Sequence, residues 1–202
     1  MSGMGNRFVI AGYQTPKPLI EMDGISIIEH IVKMFPGEED FVFICNSKHL
    51  EETSMRAVLR KIAPKGKIVE IPPHKKGPVY AVQYIESLID DDEEVIVNYC
   101  DFSCYWNYAD FLEHTRTRNA DGAHMLGTTN YAFMRDEKQW MLEIKEKEPF
   151  TDNRMDEYAS MGTYYFKKGS YVKKYFKALM EKDINLNGEF YVSLIYNLLV
   201  DD

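Results

Sequence analysis

Apolar positions along the chain fall into short runs and helical stripes that alternate as far as Arg118. Leu19–Met22 predicts a short strand, turned by Asp23-Gly24 into a helix over about Ser26–Met34. Within that helix Ile27, Ile28, Ile31, Val32 and Phe35 recur at helical spacing, Ser26 serves as N-cap and Glu29 completes a capping box. Phe41–Cys45 is a continuous apolar run of strand length, suited to burial on both faces. Ser47–Ile62 reads as an amphipathic helix closed by Pro64 and Gly66, and Lys67–Ile71 as the next strand. Gly77-Pro78 opens a helix through about Leu88. Val95–Asn98 is a buried strand ending in Tyr99-Cys100-Asp101, and a helix follows at Tyr108–Arg118. Strands alternating with helices imply βαβ units and a parallel sheet.

The pattern then changes. Thr129–Met134 and Trp140–Lys145 predict a hairpin around Asp136-Glu137, and Gly162–Phe166 predicts a further strand. Two helices close the sequence at about Tyr171–Glu181 and Phe190–Val200. Tyr191, Leu194, Ile195 and Leu198 on the last helix leave two options open, packing inward or packing against a second copy in a homodimer. The class is α/β, with a mixed sheet in the second half.

Composition narrows the function classes. The 202 residues suit one domain, and no run approaches the length of a membrane span or shows a basic-then-apolar signal pattern. Three cysteines (Cys45, Cys100 and Cys104) make no disulfide framework, so a reducing, cytoplasmic setting is expected. Twenty-four basic residues against 32 acidic ones give a net charge of −8, which argues against a protein held to nucleic acid by broad electrostatics. The histidines show no H-x-H or H-E-x-x-H spacing, which disfavours zinc. Cys100 and Cys104 are not a redox or zinc pair and read as small buried hydrophobes.

Four segments carry candidate chemistry. Gly3-Met4-Gly5-Asn6-Arg7-Phe8 is followed by Pro16-Lys17-Pro18. Glycines let backbone N–H groups approach an anion, and Arg7 and Lys17 on the same loop neutralise phosphate charge. The segment is not the G-x-G-x-x-G of a dinucleotide fold. Asp101 stands where an apolar strand stops, the position at which α/β sheets gather ligands, and a carboxylate there suits magnesium. Asn98 and Tyr99 beside it fit either a core or a base pocket. Gly77-Pro78, after the basic turn at Lys75 and Lys76, is a helix start able to receive a nucleobase edge or an anion. Glu146-Lys147-Glu148-Pro149 offers Lys147 to a second phosphate, or is a solvated charged turn.

Taken in order, G-M-G-N-R-F, P-K-P-L-I, G-P-V-Y-A-V, N-Y-C-D, the Gly127-Thr128 turn, E-K-E-P and G-T-Y-Y-F resemble the nucleotidyltransferase family over nearly the whole chain. These are GT-A-like, Rossmann-related enzymes that activate sugar 1-phosphates and other small phosphates. The variant is similar to bacterial capsule-locus members, among them CTP:phosphoglutamine cytidylyltransferase. The resemblance implies a three-layer sandwich around a mixed, mainly parallel central sheet. It implies that Gly3, Met4, Gly5, Asn6 and Arg7 hold the nucleoside triphosphate, with Gly77 and Tyr99 on the base side. Lys17 would bridge the reacting phosphates beside Arg7, Asp101 would bind Mg²⁺, and Lys147 and Gly162 would face the acceptor. Glu189 is placed on that acceptor side as a candidate second carboxylate for the metal; an acidic residue in a first helical turn is the competing reading.

CTP and a small phosphorylated capsule precursor such as phosphoglutamine are the expected pair. Sugar-1-phosphate transfer from UTP, GTP or dTTP is the alternative within the enzyme class, and a degenerate nucleotide-binding module is the alternative outside it. Against the family pattern the sequence starts at Met1-Ser2-Gly3 without a preceding strand, is short at Asp121–Met125, carries the extra Glu148 and stops at Asp202. It is therefore expected to be a single domain, residues 1–202, lacking segments at the N-terminal strand, near residues 123–124 and at the C-terminal end.

Overall fold

The structure is a computed structural model that describes residue 1, residue 12, residues 15–127 and residues 132–202. The glycine loop from Gly3 to Arg7 and the start of the expected strand at Thr129 lie outside the described residues. Two compact units are present, Met1–Lys75 with Tyr99–His114, and Lys76–Asn98 with Thr115–Asp202.

In the first unit the expected strand at Leu19–Met22 is replaced by a 3-10 turn at Lys17–Leu19 and a small hairpin. Its strands β1 (Glu21–Met22) and β2 (Ile25–Ser26) pair antiparallel around Asp23-Gly24, both at positive φ, the turn whose twist suits a tight hairpin. The helix Ile27–Lys33 starts where its cap predicts: Ser26 Oγ accepts from the Glu29 amide at 3.4 Å. The box is half made, because the Glu29 carboxylate turns to Lys33 at 2.9 Å. Strands β3 (Val42–Asn46) and β4 (Lys67–Ile71) run parallel in register, with Phe43, Cys45 and Ile71 buried.

The single helix expected over Ser47–Ile62 is two, Ser47–Glu52 and Met55–Ile62. Thr53 separates them. Its backbone is extended, its hydroxyl donates to the His49 carbonyl at 2.5 Å, and the same oxygen accepts from the Met55 amide at 3.2 Å. The side chain thus supplies the backbone with partners that a continuous helix would have provided. The returning segment is anchored by Trp106, whose ring nitrogen donates to the Met34 carbonyl at 2.7 Å. Tyr108 adds a bond to Glu38 at 2.8 Å, and Trp106 and Tyr108 both pack edge-on against Phe35.

The second unit is built on a five-stranded sheet of β5 (Val95–Asn98), β6 (Gly122–Gly127), β7 (Ala132–Glu137), β8 (Trp140–Glu146) and β9 (Tyr158–Phe166). The long β9 lies between β5 and β6, and β7 continues to β8 at the edge; every pairing is antiparallel. The chain is mixed α/β as expected, and among the described residues its parallel ladder is β3–β4. The β7–β8 turn falls at Lys138-Gln139 rather than Asp136-Glu137. Both turn residues take positive φ, and the Asp136 carboxylate accepts from the Gln139 amide at 3.0 Å. The short stretch at Asp121–Met125 enters β6, laddered to β9.

Helix Gly169–Glu181 buries Val172, Phe176 and Leu179, and Phe176 meets Phe166 of β9 edge-on. The helix expected to close the chain from Phe190 begins at Ile195 and ends at Val200. Ile195, Tyr196 and Leu198 are buried within the chain itself. Asn197 on this helix clamps the β8 backbone, its carbonyl oxygen accepting from the Ile144 amide and its NH₂ donating to the Ile144 carbonyl, both at 2.9 Å. No helix among the described residues is long and apolar enough to cross a membrane.

Candidate functional site

Of the expected nucleotide residues in the first unit, Gly3, Met4, Gly5, Asn6 and Arg7 lie outside the described residues; Lys17, Tyr99 and Asp101 are described. Pro16 caps a 3-10 turn that begins at Lys17 and continues through a second proline, Pro18, so the lysine leaves a stiff stretch of backbone. Its ammonium lies 3.1 Å from Asp101 Oδ2. Residues 84 positions apart are thereby brought together, one cationic and one anionic. The side chains remain 30% and 42% exposed, so the pair stays open to a ligand. An ion pair this exposed contributes about 0–1 kcal/mol to stability, which leaves folding a weak reason for it.

A single carboxylate in reach of solvent suits magnesium, which takes one or two carboxylates and completes its shell with water and phosphate oxygens. Among the described residues no three His, Cys, Asp or Glu side chains cluster to make an all-protein metal cage. Tyr99, two residues before Asp101, is half-buried. Burial pushes the Cys45 thiol up to about 11, and the Cys104 thiol also upward, away from the thiolate form that a nucleophile needs.

The second unit holds Gly77, Lys147, Gly162 and Glu189. Gly77 opens helix Gly77–Val82 at φ +83°. A Cβ there would lie 2.6 Å from both the nitrogen and the oxygen of Phe190, so the position admits only glycine. Two backbone bonds hold that approach, Phe190 N–H to the Lys76 carbonyl at 3.0 Å and Val79 N–H to the Phe190 carbonyl at 3.2 Å. Gly162 is buried in β9, where the ladder to β6 shifts register, again at positive φ. Asn98, at the end of β5, receives a hydrogen bond from the Thr163 hydroxyl across the ladder and so serves the sheet.

Lys147 follows β8 with a left-handed φ of 61°. Its ammonium donates to the Tyr191 hydroxyl at 2.5 Å and sits 4.2 Å from the centre of that ring. Tyr191 in turn donates to Glu189. Lys147 and Glu189, both expected on the acceptor side, are therefore joined through a tyrosine that the sequence pattern had placed in a helix. Glu189 does not stand in a first helical turn. It closes a tight Asn187-Gly188 turn, bridging to Leu186 with 3.0 Å bonds in both directions. Glu146 beside Lys147 is buried and accepts from the Ser193 hydroxyl at 2.6 Å. Burial pushes its carboxyl up, against the downward pull of Ser193 and of the Lys147 charge. Tyr191 and Ser193 were missed because their helical spacing with neighbouring apolar residues outweighed a weaker signal. That signal is the alternation Glu189, Tyr191, Ser193 directly after Asn-Gly.

The nucleotidyl transferase family model matches residues 1–188. No curated protein sequence matches the chain significantly. Among solved structures, the nucleoside-diphosphate-sugar pyrophosphorylase from Vibrio cholerae RC9 is similar with a TM-score of 0.77 at 21% identity, over 100% of this chain and 86% of its own. A UDP-glucose pyrophosphorylase complexed with UDP-glucose gives 0.74 at 18% identity, over 99% and 84%. The inositol-1-phosphate CTP transferase from T. maritima gives 0.70 at 17% identity, over 99% and 78%. At these identities the likeness is one of fold. The family model spans nearly the whole sequence, and on that match this chain belongs to the nucleotidyl transferase family.

Proposed function

We propose that the protein transfers a nucleoside monophosphate, favouring CMP from CTP, to a small phosphorylated acceptor such as phosphoglutamine in capsular polysaccharide biosynthesis. The observation that carries the transfer reading is the exposed Lys17–Asp101 pair, two residues assigned separately to phosphate and to metal that meet at 3.1 Å. Asp101 holds Mg²⁺, which neutralises phosphate charge when bound. Lys17, with Arg7 and the Gly3-Met4-Gly5-Asn6 backbone, holds the triphosphate, and Gly77 and Tyr99 serve the base. Lys147, with Gly162 and Glu189, takes the acceptor. An oxygen of the acceptor phosphate attacks the α-phosphorus, the bond to the β-phosphate oxygen breaks, and pyrophosphate leaves with that electron pair. The attacking phosphate is already anionic, so no general base is required, and catalysis rests on positioning and charge neutralisation.

The CTP choice draws support from the capsule-locus resemblance and from the fold likeness to the T. maritima CTP transferase. A second reading, sugar-1-phosphate transfer from UTP, GTP or dTTP, is favoured by the likeness to the two sugar-nucleotide pyrophosphorylases. Pyrophosphate release measured with each NTP against phosphoglutamine, inositol 1-phosphate and glucose 1-phosphate decides between them. Release with CTP and phosphoglutamine alone supports the first. Tight Mg–NTP binding with no release from any pair overturns both and leaves a binding module.

A further inference from the structure

The stretch Glu189–Ser193 organises the acceptor-side residues. Its odd positions face one set of partners: Tyr191 meets Lys147 and Ser193 meets Glu146, so the last residue of β8 and the residue after it are each held by an alternate residue of one short segment. Its even positions fix the segment itself. Phe190 is bonded through its backbone to Lys76 and Val79, and Val192 is fully buried. The hydroxyl of Tyr191 is used in both senses, its proton given to Glu189 and its oxygen accepting from the Lys147 ammonium. A phenol has one proton. With Glu189 taking it, the lone pairs are left for Lys147, and the carboxylate behind the hydroxyl strengthens the bond in front of it. The ring adds a cation–π contact under the same ammonium. A solvent-exposed lysine is otherwise among the least ordered side chains of a protein. Here it is tied at its tip and twisted at its backbone. An ammonium has three donors, so one bond to Tyr191 leaves capacity for an anion.

We infer that Tyr191 is a positioning residue for the acceptor phosphate, holding the Lys147 ammonium ready with Glu189 orienting its hydroxyl. The inference rests on Lys147 being the acceptor-phosphate residue, and the test separates the two. The probe is inorganic phosphate on the full chain. The readout is the rate at which Lys147 is acylated by an amine-reactive ester, followed by mass spectrometry, with Lys145 and Lys168 as internal controls. Phosphate is expected to protect Lys147 in the parent protein. In Tyr191→Phe, which keeps the ring and removes only the hydroxyl, Lys147 is expected to react about threefold faster without phosphate. The phosphate concentration for half-protection should rise about threefold to tenfold, and further in Tyr191→Leu, while the control lysines and the melting temperature of Tyr191→Phe stay unchanged. No protection in the parent protein overturns the Lys147 assignment itself. Protection in the parent with an unshifted midpoint in Tyr191→Phe overturns the positioning role alone. So does a shift shared by the control lysines, which marks a merely structural tyrosine.

Discussion

Replacing Gly77 by alanine puts a methyl carbon 2.6 Å from the backbone nitrogen and oxygen of Phe190, at a φ of +83°. The left-handed backbone alone costs an L-residue about 1–2 kcal/mol. The clash adds more, because its targets are backbone atoms and not the tip of a flexible side chain. Phe190 retreats only by stretching its bonds to Lys76 and Val79, each worth about 0.5–1.5 kcal/mol. Together these give a loss of about 2–5 kcal/mol, a large share of a native stability of about 5–15 kcal/mol. Gly188→Ala is the matched control: its φ is +78°, but nothing lies within 4 Å of the added carbon, so only the backbone cost of about 1–2 kcal/mol applies. Urea unfolding of both variants, with their slopes compared, measures the difference. Equal midpoints refute the packing argument. A raised NTP KM in Gly77→Ala at unchanged stability would assign the glycine to the base alone.

Three further outcomes follow from the same geometry. Lys17→Ala and Asp101→Ala should each lower pyrophosphate release by about 10²–10³-fold. Their melting temperatures should fall by no more than about 4 °C, since the exposed pair contributes about 0–1 kcal/mol to folding; parent-level turnover in either refutes the assignment. Ser26→Ala should cost about 0.5–1 kcal/mol in urea unfolding, the low end for an N-cap because the bond to Glu29 N–H is long at 3.4 Å, and no change refutes the cap. Burial holds the Glu146 carboxyl above its usual range in the folded chain, so the folded state binds the proton more tightly than the unfolded state. That contribution is complete below the unfolded pKa and is lost as pH rises through the folded one. Glu146→Gln should therefore gain stability relative to the parent on going from pH 4 to pH 7, and a variant-minus-parent difference that stays flat or falls over that range refutes the burial argument.

Short runs rich in Ile and Val were legible residue by residue, as at Lys67–Ile71 and Val95–Asn98, because β-branched side chains favour the pleated backbone of a strand whatever surrounds it. Boundaries decided by a side chain bonding to nearby backbone were not. Thr53 looks like any polar position of an amphipathic helix until its hydroxyl is seen replacing helical bonds. Residues 190–194 carry a helical stripe, yet partners on Lys76, Val79 and Lys147 draw Phe190 and Tyr191 out of the helix. Those partners are distant in sequence, and no local pattern records them. The same holds at the site. Lys17 and Asp101 were identifiable singly through motif resemblance, but their meeting across 84 residues is a property of the fold, and Tyr191 had no motif to announce it.

The Asn197 clamp bears on what the outer edge of β8 can pair with. Strand β8 is an edge of the described sheet, and an edge offers unpaired amides and carbonyls to any extended chain that drifts against it. At Ile144 both groups are already taken by one carboxamide, which imitates a neighbouring strand for a single residue. An incoming strand would find its register interrupted there, so a lone asparagine on the last helix blocks strand addition at that point of the edge.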